Sequence, residues 1–219
     1  MFDLENGEDA HALDTLAKML YQPEVAAVLL QDPELCKAVF VPSREMLLDS
    51  EWSASSWYIA AVEDGKALLL YTVLDKDNFH MEPTLSWKSS YMRQELQTHF
   101  EQKLTQDIRS AVIPAQLQNL DSDGYQLSMG ETTEDALFIL SKEESQQYLP
   151  SLAGALNGRR CWTRTPIEGE HCGIYAAMLN QLKDGTADVS FADSAWTLKE
   201  EVFPVMWVDV DRLLHNWAE

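Results

Sequence analysis

Cys161 and Cys172 are the two cysteines that lie near each other in the chain, and they are its first candidates for chemistry. Soft thiolates select Cu(I), so such a pair could bind copper. His171 beside Cys172 suggests zinc, but structural zinc needs four ligands, and the chain has no C-x-x-C pair or H-x-x-x-H partner. Because free cysteines are usually buried, we predict no metal, no cofactor and no catalytic residue.

A second candidate is the acidic run Asp121-Ser122-Asp123-Gly124, which is similar to the start of a calcium-binding loop. An EF-hand needs an acid at its fifth position, Gly at its sixth and Glu at its twelfth. Tyr125, Gln126 and Thr132 occupy those places, so we predict a plain turn. Dinucleotide-binding, Walker and Gly-x-Ser-x-Gly motifs are absent from the sequence.

The charge of the chain restricts its partners. It has 36 acidic against 16 basic residues, which gives a formal net charge of -20. Nucleic acids and anionic membranes bind proteins through Lys and Arg, so we predict no direct binding to either. The charge favours an acidic face that contacts a basic protein, or it serves solubility alone.

Composition also indicates a compartment. No apolar run approaches the roughly 20 residues that span a bilayer, and the first residues, Met-Phe-Asp-Leu-Glu, are acidic where a signal peptide would be basic. The three cysteines do not form a disulfide framework. We expect a cytoplasmic protein.

Apolar spacing divides the chain into two parts. Helical periodicity over residues 8–40 predicts a helical appendage at residues 1–50, followed by a domain at residues 51–219. Asp64-Gly65 between two β-rich runs predicts a hairpin. Ser90 should begin a helix that continues to about Leu104, and Thr105 should begin a second that Pro114 ends.

The second half of the domain alternates strands with one capped helix. Ser141 and Glu144 fit a capping box, which predicts a helix to Tyr148. Strands are predicted over residues 136–140, 162–165, 173–179, 187–191 and 202–208, with a turn at Asp184-Gly185 and a terminal helix over residues 209–217.

Four segments in order carry a family resemblance. They are residues 85–93 (Leu-Ser-Trp-Lys-Ser-Ser-Tyr-Met-Arg), 138–141 (Phe-Ile-Leu-Ser), 161–166 (Cys-Trp-Thr-Arg-Thr-Pro) and 202–208 (Val-Phe-Pro-Val-Met-Trp-Val). Together they resemble an uncharacterised bacterial domain of unknown function, with Trp-Leu-Arg-Ser-Pro and Val-Arg-Pro-Ala-Leu-Trp motifs. That family is related to the C-type-lectin-like and formylglycine-generating (sulfatase-modifying) folds. In this chain Phe203 replaces an arginine of the last motif, and Thr163 and Thr165 replace Leu and Ser.

The resemblance implies an α+β fold. Its centre would be a C-type-lectin-like, twisted and mainly antiparallel sheet with packed helices and long loops, and the N-terminal helices lie outside it. The motif residues are best interpreted as framework: Trp87, Arg93, Trp162, Arg164, Pro166 and Trp207. In the alternative interpretation, Trp162 and Arg164 form the floor of a binding cleft.

The leading functional hypothesis is a non-enzymatic protein-binding module with an acidic surface. One alternative is a degenerate formylglycine-generating enzyme that uses Cys161 and Cys172. Another is an acidic inhibitor or immunity protein that mimics nucleic acid. Calcium-mediated sugar binding is not expected, because Glu82-Pro83-Thr84 only approximates the Glu-Pro-Asn triplet of calcium-dependent lectins.

Overall fold

The computed structural model describes residues 57–71, 74–77, 85–104, 106–123, 126–156, 158–167, 173–182, 187–189, 192–193, 200–209 and 212. These residues form fifteen strands: β1 (Trp57–Glu63), β2 (Lys66–Tyr71), β3 (Leu74–Asp77), β4 (Leu85–Ser86), β5 (Val112–Ile113), β6 (Ala115–Leu117), β7 (Leu120–Ser122), β8 (Leu127–Met129), β9 (Thr133–Asp135), β10 (Arg160–Pro166), β11 (Ile174–Gln181), β12 (Ala187–Val189), β13 (Ala192–Asp193), β14 (Glu200–Val202) and β15 (Val205–Asp209). The helices are α1 (Tyr91–Lys103), α2 (Gln106–Ala111), α3 (Lys142–Tyr148) and α4 (Ala153–Leu156), with a 3₁₀ helix over Leu149–Leu152.

The predicted hairpin is confirmed. Strands β1 and β2 pair antiparallel, with Glu63 opposite Lys66. Asp64 and Gly65 connect them with φ values of 46° and 77°, and a tight hairpin turn with two positive φ angles favours these residue types. β2 then pairs with β15, which pairs with β5, so the sheet has the order β1-β2-β15-β5.

A second sheet has β10 at its centre. Its order is β12-β11-β10-β14-β3, and β13 also pairs with β11. Strand β10 is antiparallel to β11 but parallel to β14. The other pairings among the described strands are antiparallel, so the protein is an α+β domain with mainly antiparallel strands.

Two strand predictions are wrong. Residues 202–208 do not form one strand: β14 ends at Val202, β15 begins at Val205, and the two strands belong to different sheets. Pro204 lacks an N–H group, which prevents a continuous ladder, and its carbonyl accepts from Tyr71 N (2.9 Å). Residues 136–140 form only an isolated bridge, from Phe138 to Val205, and the Ile139 carbonyl accepts from the Arg164 side chain and not from a neighbouring strand.

The helices predicted after Ser90 and Ser141 are confirmed, whereas the second helix is present as α2 but ends at Ala111, before strand β5, and not at Pro114. Helix α1 begins after Ser90, whose hydroxyl accepts from Arg93 N (3.1 Å). Helix α3 begins after Ser141 with both capping-box bonds to Glu144 in place. The predicted N-terminal appendage, the turn at Asp184-Gly185 and nearly all of the terminal helix lie outside the described residues.

One apolar core joins the elements. Its largest fully buried side chains include Trp87, Trp162, Tyr71 and Phe138. The acidic run at residues 121–124 was predicted to be a plain turn, and the chain does reverse there: Asp121 lies on β7, which pairs with β8, and Asp123 N donates to Gln126 O (3.4 Å). None of the helices in the described part of the chain has the length and apolar character of a membrane span.

Candidate functional site

Arg164 connects strand β10 to the start of helix α3. Its guanidinium forms two bonds to the carboxylate of Glu144, one of them Nη2 to Oε1 at 2.7 Å. Nη1 also donates to Ile139 O (2.9 Å), and the group lies 5.8 Å from the Phe138 ring centroid. Because Glu144 is also the capping-box residue, one carboxylate both caps the helix and binds it to the sheet.

The threonines on either side of Arg164 complete this connection. Thr165 Oγ1 accepts from Lys142 N (2.9 Å), which occupies another amide at the start of α3. Thr163 Oγ1 donates to Tyr175 O (2.6 Å) on the neighbouring strand. A serine at position 165, as in the resembling family, would supply the same hydroxyl.

A cleft of about 400 Å³ lies beside Arg164. We call it the polar cleft; it is lined by residues 116–120, Ser141, Glu143, Glu144, Arg164 and Thr165. Trp162 is buried in the core and does not line the cleft. The structure therefore separates the two residues of the predicted binding site, and only Arg164 is placed where a ligand could approach it.

Asn119 is a polar residue of the cleft wall that the sequence analysis missed, and its side chain is 3% exposed. Its Nδ2 donates to Leu117 O (3.1 Å), Glu131 O (3.0 Å) and Thr133 Oγ1 (3.1 Å). Its Oδ1 is buried without a hydrogen-bond partner among the described residues. A buried acceptor without a partner is energetically costly, which makes this atom a candidate ligand contact.

Behind Asn119 lies a closed cluster centred on the Asp135 carboxylate. Asp135 accepts from Trp87 Nε1 (2.9 Å), Arg93 Nε (2.7 Å) and Thr133 Oγ1 (2.7 Å). The carboxylate is fully buried. The segment from Trp87 to Arg93 therefore has a structural role. Ser90 caps α1, and Trp87 and Arg93 donate to one carboxylate on β9.

A second depression, of about 340 Å³, adjoins the polar cleft at Gln116. We call it the side groove; it is lined by Glu63, Asp64, Lys66, residues 113–116 and Trp207. The half-buried Trp207 ring packs edge-on against Tyr148, with 6.4 Å between centroids. Tyr148 Oη donates to Glu63 Oε1 (3.3 Å), and burial together with the Glu63 charge raises the pKa of Tyr148 to about 12.

Cys161 is 4% exposed on strand β10. Burial, with a smaller contribution from the Glu201 carboxylate, raises the pKa of this thiol far above its ordinary value. Cys172 and His171 lie outside the described residues, as does the Glu82-Pro83-Thr84 triplet. No group of three or more His, Cys, Asp or Glu side chains that could hold a metal ion occurs in the part of the chain the structure describes.

Phe203, which stands where the resembling family has an arginine, is buried beside two ion pairs. The Arg159 guanidinium lies 4.7 Å from its ring centroid. Arg159 also pairs with Glu201 through Nε (2.7 Å). The adjacent Arg160 pairs with the buried Glu200.

These elements define an α+β domain whose motif residues are used for internal contacts and whose two described depressions are each lined by more carboxylates than cations. The chain belongs to the family described as a domain of unknown function (DUF6273), whose model matches residues 64–209, more than half of the 219 residues. The resemblance to an uncharacterised domain family is thereby confirmed. No curated protein and no solved structure matches the chain.

The sequence contained a signal that could have identified the Asp135 cluster. Trp87 and Arg93 carry N–H donors in one short motif, and buried donors need an acceptor elsewhere in the chain. Asn119 had no comparable signal. Its position in the cleft wall depends on a loop that the strand periodicity did not predict.

Proposed function

We propose that this protein is a non-enzymatic, cytoplasmic binding module on a C-type-lectin-like scaffold, and that its acidic surface binds a basic protein. The observation that carries the proposal is the distribution of charge. The arginines in the described residues are paired within the chain, while several carboxylates remain exposed. The unpaired charge at the surface is therefore negative, in keeping with the formal charge of -20.

The arginines illustrate this distribution. Every arginine in the described residues has a partner within the chain: Arg93 with Asp135, Arg159 with Glu201, Arg160 with Glu200, Arg164 with Glu144, Arg212 with Asp209, and Arg109 with the Glu101 carbonyl and Gln106. Exposed carboxylates lie on several elements: Glu63, Asp64, Glu101, Glu143 and Asp188. Complementary charge accelerates association and selects partners of opposite sign.

The test is a tagged pull-down of the full chain from native-host lysate at low and high salt, with mass spectrometry to identify the bound protein. We expect a stoichiometric basic protein that is retained at low salt and lost at high salt, because surface charges are screened. Glu143→Lys combined with Asp64→Lys, which reverses two exposed carboxylates, should weaken the capture. Binding that persists in high salt and ignores this charge reversal would reject the electrostatic mechanism.

The nucleic-acid-mimic hypothesis is a narrower form of the same proposal. A mimic occupies the cationic site at which its partner binds DNA, so duplex DNA should displace the chain from the captured protein. A captured protein that binds DNA and the chain at the same time would exclude mimicry and leave the binding function intact.

The formylglycine-generating alternative requires Cys161 as a thiolate. Its burial and raised pKa favour the neutral thiol at physiological pH, which is a poor Cu(I) ligand. Copper uptake that is lost when Cys161→Ser and Cys172→Ser are combined would support this enzyme. Equal uptake by the wild-type chain and the double variant would exclude it.

A further inference from the structure

The polar cleft and the side groove are both lined by Gln116, so the two depressions are neighbours, and together we call them the acidic groove. The described residues that line it include four carboxylates, Glu63, Asp64, Glu143 and Glu144, against two cations, Lys66 and Arg164. Arg164 and Glu144 neutralise each other. The exposed remainder is an excess of carboxylates, with Glu143 in the polar cleft and Glu63 and Asp64 beside Lys66 in the side groove.

Most hydrogen-bond donors in the wall of the groove are already bound within the chain. The side-chain amide donors are used internally: Gln116 Nε2 binds Glu134, Gln118 Nε2 binds Gly130 O (3.3 Å), and Asn119 Nδ2 has three acceptors. Among the described atoms of the wall, a buried acceptor, Asn119 Oδ1, and a buried donor, Arg164 Nε, have no partner. An occupant that satisfies both must offer a donor and an acceptor.

The start of helix α3 offers few free donors to an anion. The start of helix α3 borders the cleft, but Lys142 N is bound by Thr165, and the amides of Ser141 and Glu144 are bound within the capping box. Glu143 Oε2 accepts from the Ser141 hydroxyl, and the exposed carboxylate retains further acceptor capacity. The groove therefore favours a cationic occupant over a phosphate or carboxylate.

We propose that the acidic groove binds an extended, lysine- or arginine-containing segment of the partner protein; this rests on the proposed binding function. A peptide supplies a backbone N–H for Asn119 Oδ1 and a backbone carbonyl for Arg164 Nε. Its cationic side chains pair with Glu143 at one end and with Asp64 at the other. The half-buried Trp207 ring offers a cation a second favourable contact at that end.

The experiment measures fluorescence polarisation of a labelled peptide of alternating lysine and alanine, with the full chain as receptor. Glu143→Gln and Asp64→Asn should each weaken binding about fivefold, the size of one favourable exposed charge pair. Glu101→Gln and Asp188→Asn remove the same charge outside the groove and should change the affinity less than about twofold. A peptide of alternating glutamine and alanine should bind far more weakly than the lysine peptide.

A second measurement uses the amide NMR spectrum of the ¹⁵N-labelled chain. The Asn119 Nδ2 and Trp207 indole signals should shift when the lysine peptide is added, whereas diffuse binding to surface charge would leave the buried Asn119 unaffected. If the groove and control variants lose equal peptide affinity and the Asn119 signal does not shift, the groove is not the peptide-binding site. That result would leave the proposed acidic binding function in place. Failure of both this peptide and the salt-sensitive capture from lysate would reject the two proposals together. If a neutral oligosaccharide shifts these signals and the peptide does not, the peptide proposal is wrong and the groove binds a sugar.

Discussion

Two of the arginine–carboxylate pairs, Arg93–Asp135 and Arg164–Glu144, have opposite relations to solvent. In the Arg93–Asp135 pair the carboxylate is fully buried and receives three donors from different segments. In the Arg164–Glu144 pair the arginine is buried, but the carboxylate is 29% exposed and lines the polar cleft. The first pair closes a cluster, and the second forms the wall of an accessible depression.

The difference shows how one type of interaction can serve two purposes. A buried carboxylate that loses a partner keeps its desolvation cost, so the closed cluster depends on every donor. A partly exposed carboxylate can exchange a protein partner for water at little cost. We infer that the closed pair holds the fold together, while the region around the open pair can accept a ligand.

The largest expected effect tests the closed pair. Asp135→Ala leaves the Trp87 and Arg93 donors without their acceptor, so the free energy of unfolding should fall by about 4 kcal/mol. Denaturant unfolding measures this, with the exposed neighbour Glu134→Ala as control. If the two variants lose similar stability, the Asp135 cluster is not the closed framework we describe.

The open pair should be less sensitive. Arg164→Gln removes the donor to Ile139 O and the bonds to Glu144, but Glu144 can be hydrated from the cleft. We expect a loss of about 2 kcal/mol in the same unfolding experiment, mostly from the buried carbonyl. A loss as large as that of Asp135→Ala would break the comparison, because both pairs would then be equally closed.

Local signals in the sequence predicted the first hairpin turn and the start of helix α3. The Asp64-Gly65 turn and the Ser141–Glu144 box are encoded within four residues, and both are present. The Asp135 cluster joins residues that are 42 and 48 positions apart, so the local motif shows the Trp87 and Arg93 donors but does not identify Asp135 as their acceptor. The short strands β6 to β9 likewise have three residues each, too few for a periodicity to be recognised.

The candidate site was predicted only in part, for a related reason. The family resemblance singled out both Trp162 and Arg164, and the alternative interpretation made them together the floor of a binding cleft. On a strand, successive side chains point to opposite faces. Trp162 and Arg164 are two residues apart and share a face, yet one is enclosed by the core and the other is at its edge beside the cleft.

A smaller effect tests how helix α3 supports the open pair. Ser141→Ala removes the acceptor for Glu144 N (3.1 Å) and should lower the free energy of unfolding by about 1 kcal/mol. Ser128→Ala, at an exposed strand position, is the matched control and should change it little. The variant should also weaken binding of the lysine peptide, because Ser141 orients Glu143 as well. Unchanged peptide binding together with lost stability would separate the cap from the groove.

The smallest effect at neutral pH, and the most selective, comes from Tyr148 at the rim of the side groove. Burial first, and then the Glu63 carboxylate, raise its pKa from 10.0 to about 12, so the folded state holds this proton more tightly than the unfolded state does. The resulting stability is fully present below pH 10 and is lost as the pH rises towards 12. Tyr148→Phe should therefore lose less stability than the wild-type chain over this interval, as measured by denaturant unfolding at several pH values.

Glu63→Gln provides the control for that experiment, since it removes the charge and keeps the burial. Because burial is the larger cause, this variant should recover only part of the alkaline loss that Tyr148→Phe removes. If Glu63→Gln matches Tyr148→Phe, charge rather than burial dominates at this rim, and the side groove is more strongly acidic than the contacts indicate. If neither variant differs from the wild-type chain, Tyr148 is as well solvated as an ordinary surface tyrosine. The rim of the side groove would then be an open region, like the polar cleft beside Arg164.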